Sequence, residues 1–234
     1  MGMRLRMALA VGAAVVLMSG AVWAADNALT DAERADGWKL LFNGESLAGW
    51  HAATNMKNWT VDKGTISAVP GKGDYLVTDA SYGNFIISAD FKEDTYTNSG
   101  IFLRRPVKTV KGCRGIECQI YYKKSGTETG KHACGAVYDA VAPSKNMCKG
   151  PGVWQNMTVS CRDNIITVRL NGELVSTMNL DEWTVAGKAP DGSANKFTVA
   201  YKDMPRVGQL ALQNHGTKVW FKNIKIKTLG KGEG

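Results

Sequence analysis

The stretch GQLALQNHGTKVWFKNIKI, residues 208–226, constrains this chain most. Leu210 and Leu212 alternate with Gln209, Ala211 and Gln213, which predicts a strand with one apolar face. Asn214-His215-Gly216 then breaks the run as turn residues do. In the return strand Val219 and Phe221 share a side, and the apolar phase slips to Ile224 and Ile226. A bulge is therefore expected near Lys222-Asn223. Two glutamines off the core face, with a histidine at the strand's end, direct the search for function to an exposed sheet face.

Similar short runs recur along the chain, each punctuated by Gly, Asn, Asp or Pro. They include residues 38–42, 58–69, 74–78, 85–92, 99–105, 115–122, 134–142, 154–162 and 165–179. About a dozen short strands with little helical periodicity describe an all-β sandwich of two antiparallel sheets. Asn171-Gly172 is a two-residue hairpin signal. Thr30 to Arg34 allows one helical turn, with Thr30 and Glu33 forming a capping box. Residues 181–206 are polar and aperiodic, either a long loop shaping a site over one sheet or a mobile surface insertion.

Arg4 and Arg6, the 12-residue apolar run from Met7 to Met18, and Val22-Trp23-Ala24 read as a cleavable export signal, residues 1–24. The apolar run is too short to span a bilayer comfortably, and no cysteine stands at the cleavage site to take a lipid. A periplasmic or secreted protein is expected, with no membrane attachment after cleavage. A leader over 25–36, one domain over 37–229 and a disordered tail over 230–234 complete the division. The formal charge of +8 falls to +6 without Arg4 and Arg6, and the remaining lysines are scattered, so nucleic acid is not an expected partner.

Five cysteines, at 113, 118, 134, 148 and 161, leave at least one thiol unpaired. Cys118 and Cys161 alternate with apolar neighbours and read as buried thiols. Cys134 and Cys148 are the preferred disulfide, closing a loop of about 15 residues for roughly 3 kcal/mol. No close Cys/His pair shows ligand spacing, which argues against a zinc site.

Alternation also assigns faces. It leaves Asn98, Phe102 and Arg104 of one strand, Glu117 and Gln119 of a second, and Gln213 and His215 of a third off the core. Lys145 and Asn146 lie in a loop that could reach over them. Amides, a guanidinium and an aromatic face suit hydroxyl-rich ligands. Glu117 reads either as a base or as the salt-bridge partner of Arg104. His215 reads as a general acid or base, or as a turn residue. His51 and His132 have no partner spacing, and the tryptophans read as packing. Laminarinase-type sandwich enzymes carry Glu-x-Asp-x-x-Glu on one strand. The strand here, Glu117-Cys118-Gln119-Ile120-Tyr121-Tyr122, has only the first carboxylate.

The order and spacing of GWKLLFNGESLAGW, WTVDKGTISA, NSGIFLR, GIECQIYY, GAVYDAVAPSKNMCKGPGVWQNMTV and GQLALQNHGTKVWFKNIKIK resemble the 3-keto-disaccharide hydrolase family, from about Gly37 to Leu229. The resemblance implies a concanavalin A-like jelly-roll sandwich. It also implies cleavage of 3-keto-glycosides by removal of the C2 proton and elimination. Glu117 or His215 would be the base, with Arg104 or Lys145 as electrophilic donors. No cofactor is evident, although a divalent metal is compatible with this reading. The alternative is a non-catalytic carbohydrate-binding module on the same fold.

Overall fold

A computed structural model describes residues 25–107, 114–122 and 130–230. The expected export signal, Cys113 and the last four residues lie outside the described residues. The chain forms helix α1 (Asp31–Ala35) and then thirteen strands. They are β1 (Trp38–Leu40), β2 (Trp50–Ala52), β3 (Trp59–Asp62), β4 (Thr65–Ala68), β5 (Gly73–Tyr82), β6 (Phe85–Glu93) and β7 (Thr97–Arg105). There follow β8 (Ile116–Tyr122), β9 (Trp154–Arg162), β10 (Ile165–Leu170), β11 (Glu173–Asn179), β12 (Gly208–His215) and β13 (Val219–Thr228).

All ladders are antiparallel. One sheet has the order β11-β10-β9-β6-β13-β4-β3, with β1 also paired to β13; the other runs β2-β5-β12-β7-β8. Their inner faces supply the core. Phe85, Ile87, Phe91, Val159, Ile166 and Phe221 of the larger sheet meet Leu76, Ile101, Leu103, Ile120, Leu210 and Leu212 of the smaller. This is a concanavalin A-like sandwich. The alternation seen in the sequence follows from burial of one face per strand.

Local signals account for several details. Thr30 and Glu33 form the expected reciprocal capping box at α1. Asn171 and Gly172 both take positive φ, 54° and 86°, as a tight hairpin with right-handed strand twist requires. The register of β13 against β6 shifts between Lys222 and Lys225, with Asn223 at φ 52°. Strand β2 is not marked by alternation: it follows Gly49 and carries only three residues.

Residues 134–142, expected as a strand, form turns instead. An isolated bridge links Val137 to Cys118 of β8, and a second closes Val137 on Val141 within the segment. Gly135, whose φ is 86°, breaks the extended conformation at its start.

Arg104 also departs from expectation. Ala211 pairs with Phe102 but Gln209 with Arg105, so β7 carries one extra residue. Arg104 takes φ 50° and turns inward, leaving 1% exposed. Its guanidinium donates to the carbonyls of Gly83 (2.9 and 3.1 Å) and Asp163 (2.7 Å) and to Asn84 Oδ1 (3.3 Å). Gly208 makes the bulge possible, because a Cβ there would lie 2.5 Å from the Arg104 carbonyl carbon.

Cys118, Cys134, Cys148 and Cys161 are all free thiols, so the expected Cys134–Cys148 bond is absent. The two sulfurs are nevertheless neighbours. Each is engaged by hydrogen bonds rather than by the other's covalent bond, and Cys148 Sγ donates to Glu93 Oε2 at 3.2 Å.

Candidate active site

The outer face of the smaller sheet is partly covered. Two segments roof it: the turns at residues 130–141, and the long connection between β11 and β12. The first is pinned to edge strand β8. Gly135 N donates to Gln119 O, Gln119 N to Ala136 O, and Tyr138 N to Glu117 O, each at 2.9 Å. The second is tied to the first by Lys196 N, which donates to Asp139 Oδ2 at 2.9 Å. Between roof and sheet lies a cavity of about 430 Å³.

Three adjacent strands furnish its floor. β12 lies between β5 and β7, and β7 pairs with β8. This order brings Asn98, Phe102, Glu117, Gln119, Gln213 and His215 together around the cavity. Tyr75 of β5 joins them, with its ring edge-on to Phe102 at 5.0 Å between centroids. These rings, with Val77 and Ala211, form a small apolar cluster separate from the main core. The outward seat expected for Arg104 is held by Arg105, whose guanidinium stacks 4.4 Å from the Tyr75 centroid.

Arg104 is therefore removed from the site by the bulge. Lys145 and Asn146 are not brought to it either. Lys145 pairs with Glu173 at 2.5 Å in an exposed contact, and Asn146 Oδ1 accepts from Cys148 N at 3.0 Å. Both belong to the loop entering β9, which is held against the opposite sheet. Among the described residues, the cations that line the cavity are Arg114 and Lys196.

Glu117 is half-buried, and its side chain crosses the neighbouring strand where Gly100 has no Cβ. Burial pushes its carboxyl up to about 8, against a smaller lowering by Lys196. A proton held that tightly marks a group able to accept or return one near neutral pH. Among the described residues that line the cavity it is the sole carboxylate. His215 stands exposed at the rim, where β12 ends.

The amides are poised for a polar ligand. Gln119 Nε2 donates to Asn98 Oδ1 at 3.3 Å, while Gln119 Oε1 and Gln213 Oε1 are buried with no partner among the described residues. Such acceptors are costly to bury unless a ligand hydroxyl satisfies them. Lys196 lies over the Tyr138 ring at 3.8 Å, and Tyr138 in turn stacks on His132 at 4.8 Å. The roof thus presents a positive charge on an aromatic face.

Residues 37–227 match the family described as 3-keto-alpha-glucoside-1,2-lyase-like domain. The chain belongs to that family. A crystal structure of a candidate glycosyl hydrolase from Parabacteroides distasonis is 33% identical, superposes with a TM-score of 0.71, and covers 82% of this chain and 99% of its own. A second from the same organism is 30% identical with a TM-score of 0.71, over 88% of this chain and 100% of its own. A 3-keto-disaccharide hydrolase from Bacteroides thetaiotaomicron is 24% identical, over 83% of this chain and 79% of its own length. Membership places the chain with proteins of glycoside-hydrolase type.

Sequence alternation had not singled out Tyr75, Tyr138, Lys196, Phe197 or Thr198, all of which line the cavity. For Tyr75 a signal existed, since it alternates with the buried Asp74 and Leu76. The others sit on irregular segments, where periodicity carries no information about facing.

Proposed function

We propose that this chain, once exported, cleaves the glycosidic bond of glycosides already oxidised to a ketone at C3. The observation that carries this reading is the Glu117 carboxylate, the sole one among the described residues that line the cavity, desolvated beside amides, aromatics and cations. Hydrolysis of an unactivated glycoside uses a pair of carboxyls ~5–10 Å apart. A C3 ketone removes that requirement by acidifying the C2 proton.

Ionised Glu117 takes the C2 proton, and the C–H electron pair forms the enolate across C2 and C3. Lys196 and Arg114 are the donors for the negative oxygen in this scheme, replacing the more distant Arg104 and Lys145. The enolate then re-forms the ketone, a C1–C2 double bond appears, and the C1–O bond breaks with its pair going to the leaving oxygen. A proton from His215 or from solvent completes the released alcohol. Water adds across the double bond, with hydroxyl at C1 and hydrogen at C2, and the net result is hydrolysis. Phe102 and Tyr75 offer apolar faces to a sugar ring, and Gln119, Gln213 and Asn98 offer partners for its hydroxyls.

The test compares a 3-keto-disaccharide with the unoxidised sugar. The mature chain should cleave the first and leave the second. Glu117→Gln should lower turnover by ~10²–10⁴-fold with the fold intact. Sugar binding without cleavage of either substrate would favour a carbohydrate-binding module instead. Full activity in both Glu117→Gln and His215→Ala would remove both residues from the chemistry.

A further inference from the structure

Away from the cavity, three acidic groups from three remote segments converge in the interior. Glu93 ends β6, Cys134 lies in the roofing turns, and Cys148 lies in the loop entering β9. One ligating atom from each lies within 4.8 Å of the other two. Glu93 is 0% exposed and Cys134 5% exposed.

Hydrogen-bond donors surround the cluster, and Cys148 Sγ itself donates to Glu93 Oε2 at 3.2 Å. The backbone amide of Gly150 points at Cys148 Sγ and that of Tyr121 at Cys134 Sγ. Gln155 Nε2 holds Glu93 Oε2 at 3.0 Å and lies 3.8 Å from Cys148 Sγ. Gln155 is itself fixed through Oε1, which accepts from Lys149 N at 2.6 Å. Glu93 Oε1, by contrast, is buried with no partner among the described residues. A fully buried carboxylate oxygen without a hydrogen bond is expensive, and coordination would satisfy it. Outer groups that orient a carboxylate and donate to sulfurs are the usual support of a metal site.

We propose that Glu93, Cys134 and Cys148 bind a borderline-soft divalent cation, of which Zn²⁺ is the type, as a structural site. Two thiolates and a carboxylate suit that ion in tetrahedral geometry, with a fourth position for water. Binding displaces the two thiol protons and any proton on Glu93 to solvent, and the thiolates neutralise the ion's double charge.

The consequence is mechanical. The ion would clamp the roofing turns to β6 and to the loop entering β9. Tyr138, four residues beyond Cys134, lines the cavity. The site would thus hold one wall of the cavity in place without touching its ligand.

Cobalt(II) titration of the reduced, chelator-treated mature chain, under exclusion of oxygen, tests this. One equivalent should produce a thiolate-to-cobalt charge-transfer band and tetrahedral visible bands, and Zn²⁺ should bleach both. Cys134→Ser and Cys148→Ser should each lose at least half of the charge-transfer intensity at that stoichiometry, and Glu93→Gln should weaken binding. Zn²⁺ should also raise the melting temperature of the wild type and protect Cys134 and Cys148 from alkylation, while leaving Cys118 and Cys161 as they were. The protection readout needs no variant, so it stands even if a serine variant fails to fold. Absence of the band in reduced wild type would overturn the site. So would wild-type intensity in both serine variants, or alkylation of Cys134 and Cys148 unaffected by Zn²⁺. None of these readouts depends on glycoside cleavage.

Discussion

Glu117 depends on Gly100. A Cβ at position 100 would come 2.7 Å from Glu117 Oε1 and 2.8 Å from its Cγ. The glycine's φ is unexceptional, so space rather than backbone freedom requires it. Gly100→Ala should leave a folded protein, with a loss of ~1–3 kcal/mol in urea unfolding. It should displace the carboxylate and lower turnover of a 3-keto-glycoside by about 10²-fold. Wild-type turnover in this variant would mean that the carboxylate's position is not critical. The same residue sets the pH response. With Glu117 as base and its carboxyl at about 8, kcat/KM should climb about tenfold per pH unit from neutrality and level off above that value. A profile falling over that range would make Glu117 the acid.

Among the elements, the β7 bulge separates two arginines into different tasks. Arg104 satisfies carbonyls of the β5–β6 and β9–β10 connections, at Gly83 and Asp163. Arg104→Leu leaves those carbonyls without their donor and should cost ~2–4 kcal/mol in urea unfolding. An effect within ~0.5 kcal/mol would show that the carbonyls find other partners. Arg105 lies instead against Tyr75 on the cavity side. Asp74, at the start of β5, has an analogous structural task. It accepts from the backbone amides of Thr54, Asn55 and Tyr75 and from Asn58 Nδ2. Those bonds organise the segment after β2 and the strand that carries Tyr75.

Taken as one molecule, the sandwich should respond to pH from two ends. For Asp74, burial works against the charge, and the hydrogen bonds outweigh it, so its carboxyl is held below the ordinary value. Its contribution is present above the unfolded pKa and is lost as pH falls through the folded one. Glu117 is raised, so the sign reverses. Its contribution is complete below the unfolded value near 4.5 and is lost as pH rises through about 8. Asp74→Asn should therefore lessen the loss of melting temperature in acid. Glu117→Gln should lessen the decline between mildly acidic and mildly alkaline pH. Equal slopes in wild type and Glu117→Gln would show that the carboxyl is solvated in the folded state.

The strand pattern, the capping box, the Asn171-Gly172 hairpin and the slip at Lys222-Asn223 were legible in the chain alone. Each is a local effect, in which neighbouring residues decide backbone conformation or face. The grouping of Asn98, Glu117, Gln119 and Gln213 was legible for the same reason, given that their strands lie side by side. Where Arg104 points was not, because one extra residue in a ladder inverts the alternation and only pairing with β12 reveals it. Cys134 and Cys148 were read as a pair from their separation, but Glu93, 41 residues before Cys134, enters their cluster only when β6 packs beside the roofing turns. The roof itself, with Tyr138 and Lys196, was settled by tertiary structure, since irregular segments acquire a facing only from what they pack against.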